Sequence, residues 1–291
     1  MSENPRRLME RYGLHPRKSL GQNFLVDPDA PERIAGYAAL DRRDTVLEIG
    51  AGLGTLTTAL ADRAMRVVAV ETDPEMVAIL HRELDRDNVE IVEGDILNLD
   101  PSTLLGIDPP DGGRPLWGER LSRYKVVANL PYYITSAVIR HLFEAAVRPL
   151  RMVLTVQYEV AKRMIADPGD MSLLAVSVQF YSEPTICRKL GQNAFYPPPH
   201  INSAVVRFDL REDPPVPCDD VPTFFRIAKA GFAQRRKQLR NTLASTLHLD
   251  RDAVADRLEA VDISYQRRAE TLAMAEWGQV YEALAPLLDS A

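Results

Sequence analysis

The stretch Asp44–Thr57 constrains the fold more than any other part of the chain. It begins with an apolar run, continues into three closely spaced glycines and ends in a helical pattern. Gly50, Gly52 and Gly54 allow the backbone to approach a ligand closely, and the N-terminus of a following helix offers free N–H groups. One residue separates the second and third glycines, whereas the usual dinucleotide fingerprint has two there. The stretch therefore predicts a strand, a ligand-binding turn and a helix, without identifying the ligand.

Two further apolar runs end in acidic residues. Arg66–Val70 leads to Glu71, and Val89–Val92 leads to Asp95. A carboxylate at the position of Glu71 can accept both hydroxyls of a ribose, and Asp95 can accept a hydrogen bond from an adenine amine. Each acidic residue alone is more often a helix cap or a solvated turn residue. Together with the glycine turn, they predict a parallel sheet with a ligand site at the carboxyl ends of its strands.

A fourth apolar run, Val126–Ala128, ends in the corner Asn129–Tyr133, and a helical pattern begins near Thr135. Pro131 cannot donate to a sheet ladder and biases Leu130 away from helical geometry, so the corner is predicted to be extended and rigid. An amide, backbone carbonyls and a flat ring at a sheet edge could hold a planar base and accept hydrogen bonds from its exocyclic amine. The alternative is an ordinary strand-to-helix loop.

A second aromatic group lies in the proline-rich stretch Asn193–Pro199. Phe195 or Tyr196 of this stretch could face Tyr132 across a flat substrate. The alternative is a rigid linker between two strands.

The remaining pattern indicates two domains. Further strands are predicted at Met152–Gln157, Ser172–Tyr181 and Ser203–Asp209, which makes a mostly parallel sheet of seven strands. Residues 100–122 are rich in proline and glycine and predict a long surface loop. Composition changes again at Glu212–Pro217, and the rest of the chain has a helical pattern. We therefore expect an α/β domain over residues 1–211 and a smaller all-α domain over residues 212–291.

The helical part is strongly basic along one stretch. No acidic residue occurs from Val221 to Leu249, although the whole chain has a formal net charge of −6. A charged helix face is usually only solvated, but a single sign of charge within an acidic protein favours phosphate contact. The candidate RNA-binding residues are Arg235, Arg236, Lys237 and Arg240.

Composition argues against several other classes of protein. Apolar runs long enough for a membrane span are absent from the sequence, and the N-terminus lacks the apolar segment of a signal peptide, so we expect a cytoplasmic protein. The two cysteines and five histidines have no metal-ligand spacing, so we expect no metal. The net charge of −6 argues against indiscriminate nucleic-acid binding but is compatible with a local basic face.

These motifs resemble, in order along the chain, those of the ribosomal RNA adenine dimethyltransferase family. The resemblance extends from Lys18 to Leu243 and rests on seven segments, which are Gly21–Leu25, Glu48–Gly54, Glu71, Gly94–Asp95, Asn129–Tyr133, Phe195–Pro199 with Ser203–Val206, and Phe232–Leu243. The sequence departs from the family pattern at Ala51, Tyr158, His200 and Asn202.

The resemblance implies a Rossmann-like S-adenosylmethionine-dependent methyltransferase. Its substrate would be the exocyclic amines of two adjacent adenosines near the 3′ end of small-subunit rRNA, and its partner the 30S ribosomal subunit, which it would meet as a monomer. The residues implied in cofactor binding are Asn23, Leu25, Gly50, Gly52, Glu71, Asp95 and Asn129. The implied catalytic residues are Asn129, Leu130, Pro131 and Tyr132, with Phe195 clasping the base from the opposite side.

Three other functions are compatible with parts of the pattern. A large-subunit rRNA methyltransferase of the macrolide-resistance type shares the chemistry, but the proline-rich aromatic stretch and the basic helix fit the small-subunit enzyme better. A non-catalytic ribosome-assembly factor is disfavoured by the intact Glu71, Asp95 and Asn129. An NAD-dependent oxidoreductase is disfavoured by the glycine spacing.

Overall fold

The computed structural model describes residues 5–108 and 124–289. They form two compact units. The first comprises the described residues up to Ala161 together with Thr185–Glu212, and the second comprises Lys162–Pro184 and the residues from Asp213 onward. The predicted domains, 1–211 and 212–291, differ from this division, because residues 162–184 group with the helical unit.

The described residues form nine strands and twelve α-helices. The strands are β1 Phe24–Leu25, β2 Thr45–Ile49, β3 Arg66–Glu71, β4 Val89–Glu93, β5 Tyr124–Asn129, β6 Arg151–Gln157, β7 Ser182–Leu190, β8 Phe195–Tyr196 and β9 Ser203–Leu210. The helices are α1 Pro5–Tyr12, α2 Ala30–Tyr37, α3 Thr55–Ala61, α4 Pro74–Glu83, α5 Pro101–Leu105, α6 Thr135–Phe143, α7 Tyr158–Met164, α8 Leu173–Tyr181, α9 Val221–Phe232, α10 Leu239–Leu247, α11 Arg251–Glu259 and α12 Met274–Asp289.

Seven of these strands form one sheet in the order β4-β3-β2-β5-β6-β9-β7. The five neighbouring strands β4, β3, β2, β5 and β6 are parallel, and β9 runs antiparallel to β6. The predicted fold class, a seven-stranded and mostly parallel Rossmann-like sheet with a helical C-terminal region, is confirmed. The central strands β2, β5 and β6 are mostly apolar because both of their faces are buried, and Glu48, Lys125 and Thr155 are buried polar exceptions.

The strand order reverses direction next to β2. The connection from β2 leads to β3 on one side, whereas the later strand β5 lies on the other side. Open parallel sheets form a crevice at such a switch point, at the carboxyl ends of the strands. Ile49 of β2 is paired with Ala128 of β5, so the glycine turn and Asn129 leave the sheet side by side.

The predicted strand over Ser172–Tyr181 is wrong. The Ser172 hydroxyl accepts a hydrogen bond from the Ala175 N–H and caps helix α8, and the sheet strand β7 begins only afterwards, at Ser182. Within the helical unit, Phe180 of α8 stacks on Phe224 of α9 with ring centroids 4.7 Å apart. Short apolar stretches fit either a strand or a buried helix, and packing between α8 and α9 decides for the helix.

The predicted loop over residues 100–122 is wrong at its start. Asp100 caps the short helix α5 by accepting a hydrogen bond from the Thr103 N–H. The rest of that stretch, from residue 109, lies outside the described residues. None of the helices in the described ranges combines the length and the apolar character needed to cross a bilayer.

Candidate active site

A cavity of about 400 Å³ lies at the carboxyl ends of the parallel strands in the first unit. Its walls come from five segments, which are Leu20–Phe24, Ile49–Gly50 with Gly52, Val70–Thr72, Gly94–Leu97 and Asn129–Ile134. The structure therefore brings together the glycine turn, the two acidic strand ends and the Asn129 corner. Their convergence at the switch point of the sheet makes this cavity the candidate active site.

The glycine turn is shaped to let a ligand approach the backbone. Gly52 has a φ of +55°, a left-handed conformation that residues with a side chain rarely adopt. A Cβ atom at this position would also lie 3.3 Å from the ring of Phe24, which lines the cavity. The backbone N–H of Gly52 instead donates to Glu71 Oε2 at 2.8 Å.

Glu71 is held by three backbone groups. Its Oε1 accepts hydrogen bonds from the N–H groups of Thr72 and Asp73, both at 2.9 Å, and its Oε2 accepts the one from Gly52. Burial raises the pKa of Glu71, and these hydrogen bonds oppose the shift. A carboxylate has about four acceptor positions. About one therefore remains, on Oε2, and the predicted contact of Glu71 with both ribose hydroxyls stays a prediction.

Asp95 caps a short turn and also lines the cavity. Its Oδ1 accepts a hydrogen bond from the Leu97 N–H at 3.0 Å and caps the short 3₁₀ turn Ile96–Asn98. The same residue is exposed and lines the cavity. The helix-cap role is therefore observed, and acceptance of a hydrogen bond from an adenine amine by Asp95 stays a prediction.

Asn129 is oriented by its own amide nitrogen. Nδ2 donates to the backbone carbonyl of Asn23 at 3.0 Å, and Asn23 in turn donates to the carbonyl of Gly21 at 3.0 Å. With the donor end of the Asn129 amide engaged, the end available to a substrate amine is its oxygen. Pro131 has a φ of −56° and a ψ of 132°, which is extended as predicted, but a 3₁₀ turn begins at Tyr132, so the predicted extended conformation does not continue through Tyr133.

Tyr132 and Tyr133 are the rings at this corner. The hydroxyl of Tyr132 forms a hydrogen bond of 2.6 Å with Ser203 Oγ, and burial raises the pKa of the Tyr132 phenol. Tyr133 is 65% exposed, lines the cavity and leaves little room beside Gly21, where a Cβ atom would lie 3.2 Å from its ring.

Two predicted contacts are not in the cavity wall. Phe195 is 1% exposed and packs in the hydrophobic core with Leu25 and Val205, so it is not placed to clasp a base. Leu25 is buried in the same core. The reason is the pairing of β1 with β8, which sets Leu25 opposite Phe195 and turns both side chains inward.

The N-terminal segment supplies contacts that the sequence did not reveal. The buried side chain of Asp73 accepts a hydrogen bond from Gln22 Nε2 at 2.9 Å and pairs with Arg17 at 3.2 Å. Arg17 also pairs with Glu75 at 2.9 Å. These bonds fasten the segment that contributes Leu20–Phe24 to the cavity wall. Only the acidic Glu-Thr-Asp sequence at the end of β3 hinted at a second carboxylate here.

Glu48 lies in β2 just before the glycines and is 1% exposed. Burial raises its pKa to about 8, and the nearby Glu71 carboxylate adds to the shift. Because the pKa of Glu48 is higher in the folded state than in the unfolded state, protonation of Glu48 stabilises the native state. Its contribution to stability is therefore complete below the ordinary pKa of 4.5, declines as pH rises, and is lost above about 8.

We expect Glu48→Gln to remove this pH dependence. Between about pH 5 and pH 8, the free energy of unfolding of the unchanged chain should fall by up to about 1.4 kcal/mol per pH unit through this group, and that of the variant should lack this slope. Urea unfolding at several pH values measures the difference between the two. Parallel curves would mean that Glu48 is ionised in the native state.

The predicted RNA-binding residues separate into two groups. Arg235, Arg236 and Lys237 are exposed in the turn after α9. Arg240 is half-buried, and its guanidinium lies 4.4 Å from the centroid of the Tyr265 ring. This stacking occupies one face of the Arg240 guanidinium. The turn residues are the better candidates for phosphate contact.

Comparisons with known proteins identify the family of the chain. A family model described as Ribosomal RNA adenine dimethylase matches residues 13–280. A relative from Moorella thermoacetica, named Ribosomal RNA small subunit methyltransferase A, is 44% identical over 95% of both chains. A protein of the same name from Dehalococcoides mccartyi (strain CBDB1) is 42% identical over 93% of this chain and 89% of its own.

Two solved structures are similar over nearly the whole chain. The crystal structure of the 23S rRNA methyltransferase ErmE has a TM-score of 0.69 at 26% identity and covers 90% of this chain and 100% of its own. A dimethyladenosine transferase from Plasmodium falciparum has a TM-score of 0.73 at 22% identity, with 89% and 96% covered, and shares the fold. No group of three or more His, Cys, Asp or Glu residues within the described ranges could hold a metal ion. The chain belongs to the ribosomal RNA adenine dimethylase family.

Proposed function

We propose that this protein transfers methyl groups from S-adenosylmethionine to the exocyclic amines of two adjacent adenosines near the 3′ end of small-subunit rRNA. The observation that carries the proposal is that the Asn129 corner and the Glu71-bound glycine turn open into one cavity. Family membership and relatives named Ribosomal RNA small subunit methyltransferase A support the same reaction.

The residues present fit an adenosine-containing cofactor. The cavity has a glycine backbone that a Cβ atom would obstruct, an acceptor position on Glu71 for a ribose hydroxyl, and Asp95 for an adenine amine. Asn23, Gly50 and Gly52 line the same cavity. When bound, S-adenosylmethionine supplies a methyl group on a positively charged sulfur.

Asn129 is the group that orients the substrate nitrogen. An adenine amine is a poor nucleophile because its lone pair is delocalised into the ring. Hydrogen bonds from the amine to Asn129 Oδ1 and to a backbone carbonyl of Leu130 or Pro131 favour a pyramidal nitrogen and stabilise the positive charge that it gains. Alignment and electrostatic stabilisation suffice, and no base is needed before attack.

The base reaches this corner only after leaving its stack. Tyr132 provides a ring at the cavity wall, and its hydrogen bond to Ser203 fixes the orientation of that ring. Stacking of a base on such a ring contributes roughly 1–3 kcal/mol. With Phe195 in the core, Tyr133 is the other ring available at the cavity rim.

A direct assay tests the proposal. The protein acts as a monomer in the cytoplasm, and its substrate is the RNA of the 30S subunit or a precursor of it. We expect incubation with radiolabelled S-adenosylmethionine and unmethylated small subunits to label two adjacent adenosines near the 3′ end. Large subunits serve as the control, because the similarity to ErmE makes 23S rRNA the competing substrate. Label confined to the large subunit would overturn the assignment.

The exposed turn after α9 contributes to substrate binding in this proposal. We expect replacement of Arg235, Arg236 and Lys237 by Glu to weaken association with the small subunit by more than about tenfold at low salt, because three positive charges are replaced by negative ones. Sedimentation over a salt series measures the affinity. The control for general charge effects is the double variant Arg251→Glu with Arg257→Glu. Both residues are exposed on α11. Equal losses of affinity in both variants would show that the turn makes no specific contact with the small subunit.

A further inference from the structure

The helical unit contains a second cavity, of about 540 Å³. This volume is within the range of small-molecule sites in proteins. All of its lining residues lie between Arg163 and Leu173 or between Arg226 and Glu270, so the whole cavity is within the helical unit. The methyl-transfer site proposed above does not include this cavity, although Arg235 of the proposed RNA-binding turn contributes to its wall.

Four cations converge on this cavity. They are Arg163, Arg226, Lys229 and Arg235, and the one carboxylate in the wall is Glu270. Within the described ranges, no ion pair or hydrogen bond is found for the side chains of these four cations. Glu270 has its own partner, Arg268, at 3.8 Å. In a chain with a net charge of −6, this concentration of positive charge selects for an anion.

One face of α9 provides most of this arrangement. Arg226 and Lys229 are three residues apart and therefore lie on the same side of the helix, where both are exposed. Ala230 of α9 and Ala233, the residue that follows the helix, also line the cavity, so small side chains leave the space open between the cations.

The cavity also has an apolar part with an aromatic ring. Phe232 lines it and is only partly buried. The Phe232 ring is held by Trp277, with ring centroids 5.3 Å apart. Gly231 makes this packing possible, since a Cβ atom there would lie 2.5 Å from the Trp277 ring. Leu173 and Leu247 extend the apolar surface.

We propose that this cavity binds one nucleotide of a single-stranded RNA segment, with its phosphate at the four cations and its base against Phe232. A cationic rim and a ring with an exposed face are the two elements by which proteins hold unpaired nucleotides. An acidic peptide would satisfy the cations but would leave the ring unused. The inference rests on the RNA-directed function proposed above and adds a second point of contact, separate from the target adenosine.

The test uses the full-length protein and a fluorescein-labelled single-stranded oligoribonucleotide, with binding followed by fluorescence anisotropy over a salt series. We expect Arg226→Gln with Lys229→Gln to weaken binding about tenfold at low salt and to reduce the slope of log K against log salt by about 1.4, the value for two lost contacts. Arg251→Gln with Arg257→Gln removes the same charge from α11 and should change affinity less than twofold, roughly.

The ring is tested separately. Phe232→Leu keeps an apolar side chain against Trp277 and should weaken binding about fivefold with an unchanged salt slope, because only stacking is lost. Melting temperatures confirm that each variant is folded. Equal losses in the α9 and α11 pairs, or no binding of the oligoribonucleotide to the unchanged protein, would overturn the inference. So would displacement of the RNA by inorganic phosphate as effectively as by adenosine monophosphate, because the base would then contribute nothing.

The two proposals fail in different ways. One outcome is methyl transfer that depends on Asn129 while oligoribonucleotide binding is insensitive to changes at Arg226 and Lys229. That outcome refutes the proposed nucleotide site and supports the proposed function. Oligoribonucleotide binding that depends on the cavity, in a protein that transfers no methyl group, refutes the proposed function and supports the nucleotide site.

Discussion

Replacement of Asn129 by alanine is expected to lower the rate of methyl transfer by about a hundredfold or more in single-turnover experiments. The substitution removes the oxygen that would accept a hydrogen bond from the substrate amine. It also frees the Asn23 carbonyl, which the Asn129 amide now engages at 3.0 Å. A loss of two to three orders of magnitude, about 2.7–4 kcal/mol, is typical when one preorganised hydrogen-bonding group is removed from an active site.

The control for this variant is Asn193→Ala. Asn193 is exposed and lies outside the cavity wall, so its loss should leave the rate unchanged. Binding to the small subunit, measured in parallel, should be retained for the most part in Asn129→Ala, because the basic residues lie elsewhere in the sequence. Turnover at the unchanged rate in Asn129→Ala would exclude this residue from the mechanism.

Glu71→Gln is expected to weaken binding of S-adenosylmethionine about tenfold in isothermal titration calorimetry. A hydrogen bond to a charged acceptor contributes roughly 1.5–3 kcal/mol, against roughly 0.5–1.5 kcal/mol for a neutral one. The change also replaces one oxygen by an amide group that cannot accept from the backbone. Either Gly52 or the pair Thr72 and Asp73 then loses its acceptor, and the glycine turn loses a constraint.

Glu93→Gln is the matched control. Glu93 is paired with Glu71 across β3 and β4, has the same charge, and is exposed outside the cavity wall. Its replacement should leave the cofactor affinity unchanged. Equal affinities of the two variants would show that the Glu71 carboxylate makes no specific contact with the cofactor.

The sequence predicted the part of the site that lies at strand ends. Uninterrupted apolar runs such as those ending at Val70 and Ala128 identify buried parallel strands, and the residues that follow such strands necessarily meet at one edge of the sheet. The positions of Gly52, Glu71 and Asn129 at one cavity therefore follow from local sequence. The hydrogen bonds that join Glu71 to Gly52 and Asn129 to Asn23 do not, because each partner is a backbone group of another segment.

The predictions that failed depend on distant contacts. Phe195 has an aromatic side chain in a proline-rich stretch, but its pairing with Leu25, far away in sequence, decides which way the ring points. The link from Gln22 to Asp73 likewise joins residues 51 positions apart. Residues 172–181 have an apolar pattern that fits both a strand and a helix, and their contacts with α9 select the helix.

The reversal of strand order beside β2 has a consequence during synthesis of the protein. The nucleotide-binding half of the cavity is encoded before residue 98, whereas Asn129 is at the end of β5, the strand that inserts between β2 and β6. A nascent chain that ends before β5 contains the glycines and both carboxylates but no group to orient an acceptor. Such a fragment lacks the residues proposed to orient the substrate amine, so the proposed reaction requires a chain that extends beyond β5.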